Sequence, residues 1–192
     1  MLPVMAGEPD DNALMLRYRA GDTVAFQRLY ARHKGPLYRF FLRQCGHSEL
    51  AGDLFQEVWT RIIKARLNYE PDARFTTYMY QIARNILKDE YRRQQRRPAD
   101  AGAGAMDPDQ AAAAGGGADA GAENLQAADA LRMAIAALPD DQREAFLLRE
   151  EAGLSLADIA LVTGVPEETA KSRLRYALGK LRQSLLDQGA WP

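Results

Sequence analysis

Residues 155–175 read SLADIALVTGVPEETAKSRLR, and this stretch decides the fold of the C-terminal part of the chain. Ser155 is a residue type that caps the N-terminus of helices, so it predicts a short helix directly after it. Residues 163–165 (Thr-Gly-Val) predict a turn, and Pro166 predicts the start of a last helix that reaches about Leu186. Two helices joined by a short turn that contains glycine are typical of a helix-turn-helix.

The last helix of this unit has an apolar side and a polar outer side. Ala160, Gly164 and Ala170 supply the small residues and the turn glycine that crossing helices need, although a plain helical hairpin is a simpler interpretation. The residues predicted to point inward are Ala170, Leu174, Leu178, Leu181 and Leu185. The residues predicted to contact duplex DNA are Glu168, Thr169, Lys171, Ser172, Arg173 and Arg175. Such a face suits a major groove, while Glu167 and Glu168 also complement the helix dipole.

Three more helices are predicted in the first hundred residues. Apolar residues recur at helical spacing over 26–41, but residues 35–36 (Gly-Pro) predict one kinked helix or two abutting ones. Ser48 is the predicted N-cap of the next helix, and a third helix is predicted over about 76–95, after a loop over 67–74. The predicted core residues are Phe26, Leu29, Tyr30, Leu37, Phe40 and Phe41 in the first segment and Leu54, Phe55, Val58, Trp59, Ile62 and Ile63 in the second.

Two polar faces lie opposite these apolar residues. A rotation of 100° per residue places one acidic and polar set on the same side of the helix, namely Asp53, Gln56 and Glu57. This face is either a surface that binds a partner or an acidic pair that keeps the helix soluble. On the third helix Phe75 and Met79 are predicted core residues. Its exposed stripe is predicted to be Tyr78, Gln81, Asn85, Lys88 and Arg92. An aromatic side chain stacks unpaired bases and cations track phosphates, so this stripe predicts a single-stranded DNA surface, with a solvated helix face as the alternative.

The composition changes sharply between the two helical parts. Residues 98–122 are almost entirely Ala, Gly, Asp and Pro, which predicts a flexible linker. Residues 1–97 carry 17 basic and 11 acidic side chains, whereas 98–130 carry six acidic side chains and no basic one. We therefore predict an all-α chain with two small helical domains. The predicted boundaries are a disordered N-terminus over 1–13, a first domain over 14–97, a linker over 98–123 and a second domain over 124–188.

Several classes of function are disfavoured by the sequence. A single cysteine, Cys45, cannot form an internal disulfide, and with only His33 and His47 it is a poor zinc-ligand set, so we predict no metal, no cofactor and no catalytic residue. A nuclease would need converging carboxylates, yet Asp89 and Glu90 point to different sides of a helix. Signal-peptide and membrane-span patterns are lacking, which predicts a cytoplasmic protein without membrane insertion.

The order of the motifs resembles that of extracytoplasmic-function sigma factors of the sigma-70 family. The resemblance covers roughly residues 14–96 and 126–186, in the family's order on both sides of the linker. It rests on Asp53-Leu-Phe-Gln56-Glu57-Val-Trp59, Phe75-Thr-Thr77-Tyr78, Ile82-Ala83-Arg84-Asn85, Leu138-Pro139, Ala145-Phe146, Leu154-Ser155, Ile159-Ala160, Val165-Pro166-Glu167 and Thr169-Ala170-Lys171-Ser172-Arg173-Leu174. These stretches resemble regions 2.2 to 2.4 and regions 4.1 and 4.2 of the family.

The resemblance implies a role in transcription initiation without catalysis. The implied partners are core RNA polymerase, through clamp helices of its largest subunit and the flap of its second-largest subunit, promoter DNA and an anti-sigma factor. It implies that Asp53, Gln56, Glu57 and Trp59 bind the polymerase. It implies that minus-ten DNA is bound by Asn68, Asp72, Arg74, Thr77, Tyr78, Gln81, Arg84, Asn85, Lys88 and Arg92, and minus-thirty-five DNA by the face of the last helix.

The chain departs from the family pattern at three positions. Tyr78 stands where the family usually has Trp, Glu168 where it has Gly, and Ala170 where it has Val. A tyrosine still stacks on a base but covers less area, so we expect weaker or differently specific melting. A helix-turn-helix regulator that acts without polymerase is the alternative function, although it would not need the 53–59 motif.

Overall fold

The structure is a computed structural model that describes residues 9–96 and 122–189. These residues form helices joined by short connections, with no strand among them, which confirms the predicted all-α class. The elements are α1 (Asp11–Arg19), α2 (Thr23–Cys45), α3 (Ser48–Ala65), a 3-10 turn (Arg66–Asn68), α4 (Phe75–Arg96), α5 (Ala122–Ala136), α6 (Asp140–Glu150), α7 (Leu156–Thr163) and α8 (Glu167–Asp187). The linker predicted over 98–123 lies outside the described residues, except for its last two residues, which begin α5.

The N-terminal domain consists of α1 to α4 around one apolar core. Helix α2 runs unbroken through Pro36, so this segment is one helix and not two abutting ones. An internal proline costs a helix ~3 kcal/mol, but Leu29 and Leu37 on its two sides are both fully buried, and their packing keeps the helix continuous. Helix α1 begins at Asp11, so residues 11–13 are helical and do not belong to a disordered N-terminus.

Some details of the predicted core and caps were wrong. Leu178 is 49% exposed, and Ala177 is fully buried in its place, because the inward line of α8 runs through Ala170, Ala177 and Leu181. The predicted core residues Tyr30 and Ile63 are only partly buried, with 37% and 41% of their surfaces exposed. The N-cap of α3 is His47 and not Ser48, and its side chain makes no capping hydrogen bond.

The helix-turn-helix of the C-terminal domain forms as predicted. Ser155 Oγ accepts from the backbone N–H of Asp158 (3.1 Å), and the Asp158 carboxylate accepts from the Ser155 backbone N–H (3.3 Å), so a capping box starts α7. Gly164 ends α7 with φ +66°, a left-handed conformation that glycine adopts without steric cost. Helix α8 then follows Pro166 and packs on α6 and α7.

The two domains pack against each other. Helix α4 contacts α7, and α2 contacts both α5 and α6. No sequence pattern indicated this interface, because the residues that form it lie about 60 to 110 positions apart. Among the residues that the structure describes, no helix is both long enough and apolar enough to cross a membrane.

Loss of the capping box should destabilise the C-terminal domain. We expect Ser155→Ala to lower the free energy of unfolding by about 1 kcal/mol, because the N–H of Asp158 loses its acceptor. Urea unfolding followed by circular dichroism measures this. Ser172→Ala in the interior of α8 is the matched control and should leave stability unchanged or slightly raised, since alanine is the better helix former. Equal midpoints for both variants would contradict the role of the cap.

Candidate polymerase and nucleic-acid interfaces

Helix α3 presents an acidic surface to solvent. Asp53 and Gln56 are exposed, and the half-exposed Glu57 side chain accepts from Arg61 Nε at 2.8 Å. The opposite side of the helix is anchored by Val58 and other buried residues of the apolar stripe. The predicted acidic face therefore lies at the surface, fixed in orientation by the core beneath it.

Trp59 does not belong to this surface. Only 4% of Trp59 is exposed, and its ring packs edge-on against Phe26 at 5.7 Å and beside Tyr30 at 5.0 Å between centroids. Its position in the stripe of α3 turns it inward, so it supports the acidic face from below and cannot touch a partner directly. The sequence had already placed Trp59 in the apolar stripe, and that placement is confirmed.

The loop before α4 is held by helix α1. Asn12 Oδ1 accepts from the backbone N–H of Phe75 (2.6 Å) and from the Tyr69 hydroxyl (3.1 Å), and Asn12 Nδ2 donates to the Ala73 carbonyl (3.0 Å). Arg19 donates to the Tyr69 carbonyl (2.8 Å). These bonds fix both ends of the loop, while the predicted DNA contacts within it, Asn68, Asp72 and Arg74, are exposed. Sequence reasoning missed Asn12, which has no motif of its own.

The predicted stripe on α4 lies at least partly at the surface. Tyr78 is half-buried, and its ring meets that of Tyr69 edge-on at 5.2 Å. Burial raises the pKa of Tyr78, so its hydroxyl stays neutral at physiological pH. Beyond it Gln81 is half-buried, and the exposed members of the stripe are Asn85, Lys88 and Arg92.

Two predicted minus-ten residues are covered by the C-terminal domain. Thr77 is fully buried and its hydroxyl donates to Asp158 Oδ1 at 2.9 Å. Arg84 Nε donates to Glu144 Oε1 at 2.8 Å, and both side chains are only 12% exposed. Burial raises the pKa of Asp158, but hydrogen bonds from Ser155 and Thr77 outweigh it and hold that pKa below its usual value. Neither Thr77 nor Arg84 can reach DNA while the domains are in contact.

A second set of ion pairs joins the domains at α2. Arg39 Nε donates to Glu151 Oε2 at 2.7 Å, and Arg43 Nη1 contacts Glu151 Oε1, so one carboxylate is held by two guanidinium groups. The Glu151 side chain is 6% exposed. Sequence reasoning missed these arginines, although their i, i+4 spacing places both on one face of α2.

The outer side of α8 is largely exposed. Glu168, Lys171 and Arg175 face solvent, with Thr169 and Ser172 half-buried beside them. The Arg173 side chain is turned toward α6, where Nη2 lies 2.5 Å from Asp141 Oδ2. The structure thus brings together the predicted face but places Arg173 at its edge in an ion pair.

Both helical domains have counterparts in known protein families. Residues 29–97 match the family Sigma-70 region 2, and residues 128–181 match Sigma-70, region 4, which together span more than half of the chain. The chain belongs to the sigma-70 family of RNA polymerase sigma factors. This sigma factor is 33% identical over 171 residues to RNA polymerase sigma factor CarQ of Myxococcus xanthus, with 89% of this chain and 95% of CarQ covered.

Other relatives place the chain in the extracytoplasmic-function group of sigma factors. It is 30% identical over 175 residues to the ECF RNA polymerase sigma-E factor of Escherichia coli K12, with 88% of this chain and 91% of that protein covered. Among solved structures, CnrH in complex with the cytosolic domain of CnrY has a TM-score of 0.66 at 23% identity, covering 93% of this chain and 97% of that one. RpoE of Bartonella quintana, in complex with the anti-sigma factor NepR, has a TM-score of 0.63 at 20% identity, with coverages of 83% and 96%. These two structures confirm the fold.

Proposed function

We propose that this sigma factor binds core RNA polymerase through the acidic face of α3, recognises and melts the minus-ten element with α4 and the preceding loop, and reads the minus-thirty-five element with α8. The observation that carries the proposal is that one domain exposes both an acidic helix face and a helix with an aromatic, amide and cationic stripe. The other domain contains a helix-turn-helix. The chain acts in the bacterial cytoplasm and catalyses no reaction itself.

An anti-sigma factor is the further partner that we propose. The structurally similar RpoE of Bartonella quintana forms a complex with the anti-sigma factor NepR, and CnrH forms a complex with the cytosolic domain of CnrY. The alternative is a DNA-binding regulator that acts without polymerase. It is not favoured, because it does not explain why residues 29–97 match sigma region 2.

Reversing the charge of the α3 face should abolish polymerase binding. We expect Asp53→Lys with Glu57→Lys to weaken binding at least ~10-fold, because like charges at an interface cost several kcal/mol. Pull-down with core polymerase measures this, with circular dichroism to check folding. Glu70→Lys with Asp89→Lys makes the same change in charge at exposed positions elsewhere on the domain and should bind normally. If both double variants bind core polymerase equally, the α3 face is not the docking surface.

Removing the Tyr78 ring should impair promoter melting. Base stacking contributes ~1 to 3 kcal/mol, so we expect Tyr78→Ala to reduce open-complex formation roughly 5- to 150-fold. Permanganate reactivity of unpaired thymines measures this on linear promoter DNA with holoenzyme. Tyr78→Phe and Tyr78→Trp keep an aromatic ring and should melt the promoter, and premelted templates should rescue the alanine variant. Full melting by Tyr78→Ala would refute the stacking role.

The two arginines at the surface of α8 should have different effects on DNA. The exposed Arg175 is free of ion pairs to acidic side chains among the described residues, so Arg175→Ala should cost ~1 to 3 kcal/mol at one promoter position if Arg175 reads a guanine. Arg173 lies at the edge of this face, where its ion pair with Asp141 turns it away from the bases. We expect it to contact a phosphate, so Arg173→Ala should weaken binding to all sequences about equally. Binding of holoenzyme to a library of minus-thirty-five variants separates these outcomes. Unchanged profiles for both variants would remove α8 from recognition of this element.

A further inference from the structure

Helix α2 carries a pair of arginines that form their ion pairs, among the residues the structure describes, with a carboxylate of the other domain. Arg39 and Arg43 lie one turn apart, and both contact the carboxylate of Glu151. Each remains about one-third exposed, while Glu151 is almost completely buried. Two guanidinium groups that converge on one anion form the arrangement by which proteins bind carboxylates and phosphates.

A third arginine continues this surface on α4. Arg84 contacts Glu144 of α6, which lies seven residues before Glu151, the C-cap of that helix, and therefore about 10 Å from it along the helix axis. Glu144 and Glu151 thus form ion pairs with three arginines of the N-terminal domain. Arg84 itself lies on α4, the helix proposed to bind minus-ten DNA.

A buried hydroxyl lies beside the same groups. Tyr80 is 1% exposed, and its hydroxyl has no hydrogen-bond partner among the described residues. Burial raises the pKa of Tyr80, the negative charge of Glu151 raises it further, and Arg39 lowers it, so the hydroxyl lies within the field of the Arg39–Glu151 pair. This neutral donor has no partner among the described residues and is within the electrostatic influence of Arg39 and Glu151.

We infer that Arg39, Arg43 and Arg84 form a phosphate-binding site for nucleic acid, and that Glu151 and Glu144 occupy this site while the two domains are in contact. The inference deepens the proposed function, because it adds α2 to the DNA-binding surface and makes the C-terminal domain a competitor of DNA. The ligand is the phosphate backbone, so the site acts without sequence preference. DNA binding and domain contact are then mutually exclusive at these residues.

A salt titration with the full chain tests the site without a promoter or polymerase. The probe is a fluorescent 20-nucleotide single strand of random sequence, followed by anisotropy between 50 and 200 mM salt. Glu144→Gln with Glu151→Gln removes the internal anions and should bind the probe more tightly than the parent chain. Adding Arg39→Gln with Arg43→Gln to that variant should weaken binding and reduce the salt slope by about 1.4, at ~0.7 for each lost phosphate contact. Between 50 and 200 mM salt, the variant with only the two glutamate substitutions should thus lose about 7-fold more affinity than the variant that also lacks the two arginines.

Matched variants separate a binding role from a structural one. Arg28→Gln with Arg61→Gln removes two exposed arginines from other surfaces of α2 and α3, and should leave the slope unchanged in the same background. Arg39→Lys with Arg43→Lys keeps the charges and should keep the slope.

If the arginines only hold the domains together, Arg39→Gln with Arg43→Gln in the parent chain would raise DNA binding, which overturns the inference. An acid variant that binds no better than the parent, or an unchanged slope after loss of the arginines, also overturns it. Failure of promoter recognition would instead be seen with the Tyr78 and Arg175 variants on promoter DNA, since the random probe contains no promoter.

Discussion

The 100° rotation per residue along α4 is the constraint on which the rest of the structure depends. Once Phe75, Met79 and Ala83 are buried in the N-terminal core, every other position of this 22-residue helix has a fixed direction. Thr77 and Arg84 are seven residues apart and therefore both face the C-terminal domain. The remaining polar stripe, which starts at Tyr78, is left at the surface. One helix thus serves the core, the domain interface and the candidate DNA surface.

Local patterns were sufficient to predict the helix-turn-helix and three helices of the N-terminal domain, but not α1. Ser155, Gly164 and Pro166 mark the ends of α7 and α8, because caps and turns depend on residues within a few positions of each other. The prediction of which residues of α8 face the core was wrong at one position. Ala177 and Leu178 are neighbours, and hydrophobicity favours burial of the leucine. The helix geometry instead buries the alanine, because at 100° per residue position 177 lies on the same side as the buried Ala170 and Leu181.

The domain interface could not be predicted from the sequence. Arg39 and Glu151 are 112 residues apart, and Arg84 and Glu144 are 60 apart, so no period or short motif connects them. Each of these charges, viewed alone in the sequence, is an ordinary polar residue on a helix. The same limit applied to Asn12, whose three hydrogen bonds to the loop before α4 join positions 57 to 63 residues away. Pairing over such distances is fixed by tertiary packing, which composition and periodicity do not encode.

The chemistry of the interface favours a contact that can be broken and reformed. Buried ion pairs contribute little net stability, because the desolvation of both charges offsets their attraction, but they fix the orientation of the partners. When the domains separate, Glu144, Glu151 and Arg84 regain water, so no charge is left buried without a partner. Asp158 keeps its capping box with Ser155 after it loses Thr77, and α7 therefore retains its N-terminus. The buried apolar residues of the two domains form one continuous cluster, and the polar contacts around it are the part of the interface that the proposed DNA phosphates would replace.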